Sequence, residues 1–140
     1  MSLLISSAKP RQKESYPRLI KQLWSVNAYV RENAVRDLGT PGKKAIPELI
    51  KALRSTNQFT REAGTRVLAQ IGKLAVPEVV KLLKDRMSYV RQTAAYTLGI
   101  MYEKTIDAER ALKIALNDKD IDVRKEAEIS LREYGFFQNP

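Results

Sequence analysis

The chain has 140 residues, of which 44% are apolar, 29% charged and 7% aromatic, with six Gly and six Pro; this is the length and composition of one folded domain rather than of a low-complexity chain. It contains no Cys and no His, which excludes disulfides, thiolate nucleophiles, zinc–thiolate centres and the commonest general base. The formal charge of +9 is unevenly spread: residues 1–102 carry 18 basic and 7 acidic side chains, residues 103–140 carry 7 and 9. Such a field raises the encounter rate with an acidic partner, be it a protein, a nucleic acid or an anionic membrane.

No stretch approaches the ~20 apolar residues of a bilayer span. Met1-Ser2-Leu3-Leu4-Ile5 has neither the basic start nor the apolar length of a secretory signal. The expectation is a cytoplasmic protein. Residues 1–15 stand outside the pattern that follows and read as an N-terminal extension or a cap on the first repeat.

From there the chain repeats every thirty residues. Pro17-Arg18-Leu19-Ile20-Lys21-Gln22-Leu23 returns as Pro47-Glu48-Leu49-Ile50-Lys51-Ala52-Leu53 and as Pro77-Glu78-Val79-Val80-Lys81-Leu82-Leu83. A second block follows each: Tyr29-Val30-Arg31 leading to Leu38-Gly39, Phe59-Thr60-Arg61 leading to Leu68, and Tyr89-Val90-Arg91 leading to Leu98-Gly99. A fourth copy, with Leu112, Leu116, Val123, Arg124, Ala127 and Leu131, arrives three residues late, which places an enlarged loop at Met101–Asp107.

Both blocks are helical by pattern. Proline is harmless in a first helical turn, and pairs such as Leu19/Leu23 and Leu49/Leu53 build one buried stripe. Asn27, Asn57, Ser88 and Asp120 are placed to cap the second helix, and Gly39, Gly72, Gly99 and Gly135 to close it. Each repeat is then a hairpin of two antiparallel helices of roughly ten to fourteen residues. A lone hairpin cannot bury its stripe, so the fold expected is an all-α solenoid of four stacked hairpins. The repeats fall at about 16–42, 43–72, 73–104 and 105–135, with a tail at 136–140. Ala34, Gly64, Ala94 and Ala127 share one position in the second helix, where a small side chain lets backbones approach.

Val30-Arg31-Glu32-Asn33-Ala34-Val35-Arg36-Asp37-Leu38-Gly39, and its counterpart from Val90 to Gly99, resemble the short HEAT-like repeat of the phycobilisome-lyase type over residues ~16–135. That resemblance implies that second helices line a concave face, and that the repeated Arg31, Arg61, Arg91 and Arg124 hold turns and neighbouring repeats together. It also implies an Asp in the turn before each of these arginines. Here that place holds Asn27, Asn57 and Met87, with Asp only at Asp120.

On the concave face the intervening residues form ladders: Tyr29, Phe59, Tyr89 and Asp122; Glu32, Glu62, Gln92 and Lys125; Arg36, Arg66, Tyr96 and Ile129; and Gln70, Ile100 and Glu133. Aromatics and arginines dominate binding hot spots, so Tyr29, Glu32, Arg36, Phe59, Glu62, Arg66, Tyr89, Gln92 and Tyr96 are the candidate partner-binding residues. In the alternative reading, the three aromatics seal adjacent repeats. No catalytic constellation and no metal or cofactor site is expected, since no carboxylate or phenol here is paired with a positioned base. The expected function is therefore a protein-interaction scaffold for an acidic partner protein. The alternatives are nucleic-acid binding, against which Glu32 and Glu62 count, and a bilin lyase or chaperone-like relative. The outer helices carry Lys21, Lys51, Lys81, Arg54 and Lys84, with Trp24 among them and Lys43, Lys44 and Lys73 in the loops. Lys113 replaces an apolar position in the last repeat, as an end cap does. Phe136 and Phe137 either fold back on that repeat or offer a self-association patch.

Overall fold

Pro47 and Pro77 each lie in the first turn of a short helix, where a missing amide hydrogen breaks no intrahelical bond. The computed structural model describes residues 16–39 and 42–137; the expected extension at 1–15 and the last three residues lie outside them. The first hairpin is α1 (Tyr16–Gln22) and α2 (Ala28–Gly39). A 3-10 turn, Gly42–Ala45, leads into α3 (Ile46–Leu53) and α4 (Gln58–Ile71). A second such turn, Gly72–Ala75, leads into α5 (Val76–Leu82) and α6 (Ser88–Ile100). The fourth hairpin is α7 (Ile106–Ala115) and α8 (Ile121–Glu133). No strand occurs among the described residues.

The hairpins stack in chain order: each helix packs on its hairpin partner, and the second helices, with the first helices from α3 onward, pack on their counterparts in the next repeat. Second helices contact one another more extensively than first helices do, most of all α6 with α8. The longer second helices thus carry most of the packing between repeats. Leu23, Leu38, Leu53, Leu68, Leu98 and Leu131 are fully buried and recur at matching places along one continuous core. Burying such a side chain stabilises the fold by ~1.5–3 kcal/mol.

Several local expectations are corrected. The first helices α3 and α5 are shorter than expected, at 8 and 7 residues, because the 3-10 turns and the closing turns take up the remaining chain, whereas α7 has the expected ten. The enlarged loop ends at Thr105, whose hydroxyl accepts from the Ala108 amide at 3.2 Å and starts α7. That loop is anchored by Met101, which is fully buried. Asn57 and Asp120 cap as expected, and Asn27 accepts from the Tyr29 amide at 2.9 Å. Ser88 is not a cap: it is already helical, and Asp85 instead takes the Met87 amide at 3.0 Å.

Gly99 closes nothing either. It lies inside α6, where an added Cβ would clash with the Ser130 side chain, so its role is to admit α8. Gly39 is the last residue of α2, and the left-handed turn comes at Gly42 with φ 66°. Gly64 meets its hairpin partner: a Cβ there would stand 3.0 Å from Ala52 Cβ and 3.3 Å from the Leu49 carbonyl. Buried hydroxyls tie the second helices together, with Thr65 Oγ1 3.1 Å from Thr97 Oγ1 and Ser130 Oγ donating to the Ala95 carbonyl at 2.9 Å.

Candidate functional site

The repeated arginines are structural. Arg31, Arg61, Arg91 and Arg124 each donate from Nη1 to the carbonyl six residues earlier, that of Ser25, Ser55, Asp85 and Asp118, at 2.7–2.9 Å. The side chains of those four residues accept the amide two positions on. Each hairpin turn is thereby closed from both sides. At this turn position the residue links neighbouring repeats through a carboxylate only where it is acidic. Arg91 is 5% exposed and grips Asp118 with Nε at 2.9 Å and Nη2 at 3.2 Å, while Arg54 reaches Asp85 at 2.9 Å. The linking carboxylate is thus Asp118, two residues before the expected Asp120, which caps α8 instead. Burial alone would raise the Asp118 pKa, but the hydrogen bonds from Arg91 and from the Asp120 amide outweigh it and hold the carboxyl below its ordinary value.

The second-helix face is hollowed where α4, α6 and α8 meet. One hollow of about 440 Å³ is lined by Gln58, Arg61, Glu62, Thr65, Arg66, Tyr89, Gln92, Thr93, Tyr96, Ile100 and Glu126. A second, of about 540 Å³, continues past Tyr96, Ile100 and Glu126 to Ile129, Tyr102, Lys104 and Glu133. Together they form a trough across the last three repeats.

Of the nine expected residues, the structure brings Glu62, Arg66, Tyr89, Gln92 and Tyr96 into this trough. Glu32 joins its rim, paired with Arg66 across one repeat at 2.7 Å. Arg36, hydrogen-bonded to Asn33, lies one repeat further away. Tyr29 and Phe59 are 74% and 75% exposed and line neither hollow. The aromatic ladder is therefore not uniform: Tyr89 is half-buried, donates its hydroxyl to the Arg54 carbonyl at 3.0 Å and lies under the Arg61 guanidinium, 5.3 Å from its ring centroid. It seals the second and third repeats while keeping one edge in the trough.

Glu126 was not among the expected residues. It occupies the position of Asn33, Ala63 and Thr93, so a carboxylate in an otherwise neutral row was the available signal, obscured by the three-residue delay. Burial pushes its carboxyl above the ordinary range. Lys104 donates to the Gly99 carbonyl at 2.5 Å and lies over the Tyr134 ring; burial lowers its pKa and the charge of Glu133 opposes that.

On the outer face, Lys51 pairs with Glu48 and Lys81 with Glu78, both exposed, so part of the basic row is neutralised in place. Trp24 is half-exposed there. At the C-terminal end Phe136 and Phe137 meet edge to face at 4.9 Å, and the Lys113 ammonium, paired with Glu109, lies 4.5 Å from the Phe136 ring. Among the described residues no group of three or more acidic side chains is placed to hold a metal, and no helix is long and apolar enough to cross a membrane.

Stacked antiparallel hairpins with a hollowed second-helix face define an α-solenoid repeat protein. The sequence matches the HEAT repeats family over residues 16–87 and again over 73–132, and the chain belongs to that family. Among solved structures it is similar to human deoxyhypusine hydroxylase in complex with glycerol, at 24% identity and a TM-score of 0.61, with 90% of this chain matched to 45% of that one. This chain therefore spans less than half of the hydroxylase. It is also similar to the complex of CpcE and CpcF of phycocyanin lyase from Nostoc, at 23% identity and a TM-score of 0.56, over 89% of this chain and 79% of that one. At these identities the likeness is one of fold. No curated protein matches the sequence.

Proposed function

We propose that this protein is a non-catalytic scaffold that holds an extended segment of a partner protein in the trough formed by α4, α6 and α8. One observation carries the reading: Tyr89, Tyr96 and Ile100 lie along one continuous hollow beside Arg61, Arg66, Glu62 and Glu126. That mixture of aromatic, apolar and charged groups is typical of a protein-binding surface. The trough arginines favour a protein over a polyanion, because Arg66 is engaged with Glu32 and Arg61 with a turn carbonyl. A phosphate would have to displace both. The charge of +9 steers an acidic partner toward the surface at long range, and the trough then selects at short range.

The test is site-directed crosslinking in native extract, with a photoreactive residue at Gln92 in the trough or at Lys51 on the outer face. The partner captured from Gln92 is purified and its affinity measured against Arg66→Ala and Tyr96→Ala. A roughly tenfold loss in each, the scale of ~1–3 kcal/mol per hot-spot side chain, supports the reading. Capture from Lys51 alone, or unchanged affinity in both variants, refutes it.

A further inference from the structure

The trough changes character along its length. The position held by Arg36 and Arg66 in the first two repeats is Tyr96 and then Ile129 in the last two. The row of cations therefore stops at Arg66, while three residues earlier in each helix, about one turn away, the row Asn33, Ala63, Thr93 acquires a carboxylate at Glu126.

Glu126 stands where the two hollows join, together with Tyr96 and Ile100. Its carboxylate has no hydrogen-bond or ion-pair partner among the described residues, although it is half-buried. All three basic groups that line the hollows are engaged elsewhere. Arg61 is held by the Ser55 carbonyl and the Tyr89 ring, Arg66 by Glu32, and Lys104 by the Gly99 carbonyl and the Tyr134 ring. The junction thus sets a carboxylate without a partner beside Tyr96 and Ile100, with Glu62 and Glu133 further along the two hollows, inside a protein whose overall charge is strongly positive.

We propose that this junction is a subsite for a single Arg or Lys side chain of the partner protein, its cationic head paired with Glu126 against the face of Tyr96 and its stem lying along Ile100 and Ile129. The assignment rests on the scaffold reading and deepens it. A partly desolvated carboxylate gains most from a cation that brings its own hydrogen bonds, and a guanidinium or ammonium is also attracted to the face of a tyrosine ring. Burial already pushes the Glu126 carboxyl up, a cost that an incoming cation offsets. An acidic or plain aliphatic side chain would deepen the desolvation without matching the charge. The partner then has an acidic surface, which the basic body attracts, and one basic anchor that the junction accepts.

The test uses the full chain, isotope-labelled, titrated by NMR with capped Ala-Ala-Arg-Ala-Ala and with the same peptide carrying norleucine or Glu at its centre. The Arg peptide is expected to shift the resonances of Tyr96, Ile100, Glu126 and Ile129 at millimolar concentration and to lower the carboxyl pKa of Glu126. Norleucine should bind about tenfold more weakly, Glu126→Gln should bind the Arg peptide about tenfold more weakly, and Tyr96→Phe should bind it normally. Equal binding of the Arg and norleucine peptides, an unchanged affinity in Glu126→Gln, shifts confined to other surfaces, or no shift at all would each overturn the subsite. Glu126→Gln removes a desolvated charge, so its melting temperature should not fall, which separates lost binding from lost folding. If the subsite fails while the partner still crosslinks at Gln92 and is lost in Arg66→Ala, the scaffold reading stands alone. If the peptide binds but trough crosslinks are absent, the scaffold reading falls.

Discussion

Replacing Arg91 by Ala should be far more damaging than the same change at its three equivalents. All four arginines close a hairpin turn through one carbonyl, but Arg91 is nearly removed from solvent and also holds both oxygens of Asp118 and the Arg86 carbonyl. Arg31 lacks such a partner: the turn of the next repeat offers Ser55. Losing one charge-assisted bond at a half-exposed site costs ~1–2 kcal/mol, the expectation for Arg31→Ala. Breaking a buried ion pair by removing one partner costs ~3–5 kcal/mol, because it leaves the other charge unmatched. For a chain of this size each kcal/mol moves the midpoint by about 3–5 °C, so Arg91→Ala should melt roughly 10–20 °C below the parent. Urea and thermal unfolding followed by circular dichroism read both variants, and Arg91→Ala, Asp118→Ala and their double substitution complete the cycle. A coupling of about 2 kcal/mol is expected for residues in direct contact. If Arg91→Ala costs no more than Arg31→Ala, or if the cycle shows no coupling, the link between the third and fourth repeats does not have the role assigned here.

The depressed pKa of Asp118 sets an acid limb: its stabilisation is present above the ordinary carboxylate range and is lost as pH falls through the lowered folded value. Asp118→Asn should flatten stability against pH on that side only. Tyr134, whose hydroxyl donates to the Leu98 carbonyl at 3.0 Å, has its pKa pushed up to about 12 by burial and by the charge of Glu109. Stability should therefore fall as pH rises from the ordinary tyrosine range toward that value, and Tyr134→Phe should remove that limb, as unfolding midpoints across alkaline pH will show. Gly99→Ala should destabilise more than Gly64→Ala despite equal gains in helix propensity. The new methyl at Gly99 would lie 3.0 Å from the Ser130 Cα atom and force α6 from α8, whereas at Gly64 its closest neighbour is a methyl at 3.0 Å. Overpacking of ~1–3 kcal/mol offsets a propensity gain of ~1 kcal/mol, and equal midpoints for the two variants would refute the ranking.

The thirty-residue period determined the architecture by itself. Recurring leucines and first-turn prolines specify paired helices whose stripes can be buried only by stacking, and no later information altered that. The structural role of Arg31, Arg61, Arg91 and Arg124 was also expected, though only as what the resemblance to HEAT-like repeats implied, and the turn carbonyls bear it out. Tertiary structure alone decided which copies differ. Register assigns the same ladder position to Tyr29, Phe59 and Tyr89, yet among the described residues only Tyr89 bonds a carbonyl and packs under a guanidinium of the preceding repeat, whereas Phe59 has no hydroxyl to donate. Gly99 reads as a helix stop until α8 is seen lying against it. Glu126 reads as a solvated charge until α6 partly desolvates it and the nearby cations are found engaged elsewhere. A repeat fixes what each position is; the contacts between unequal neighbours decide what each residue does.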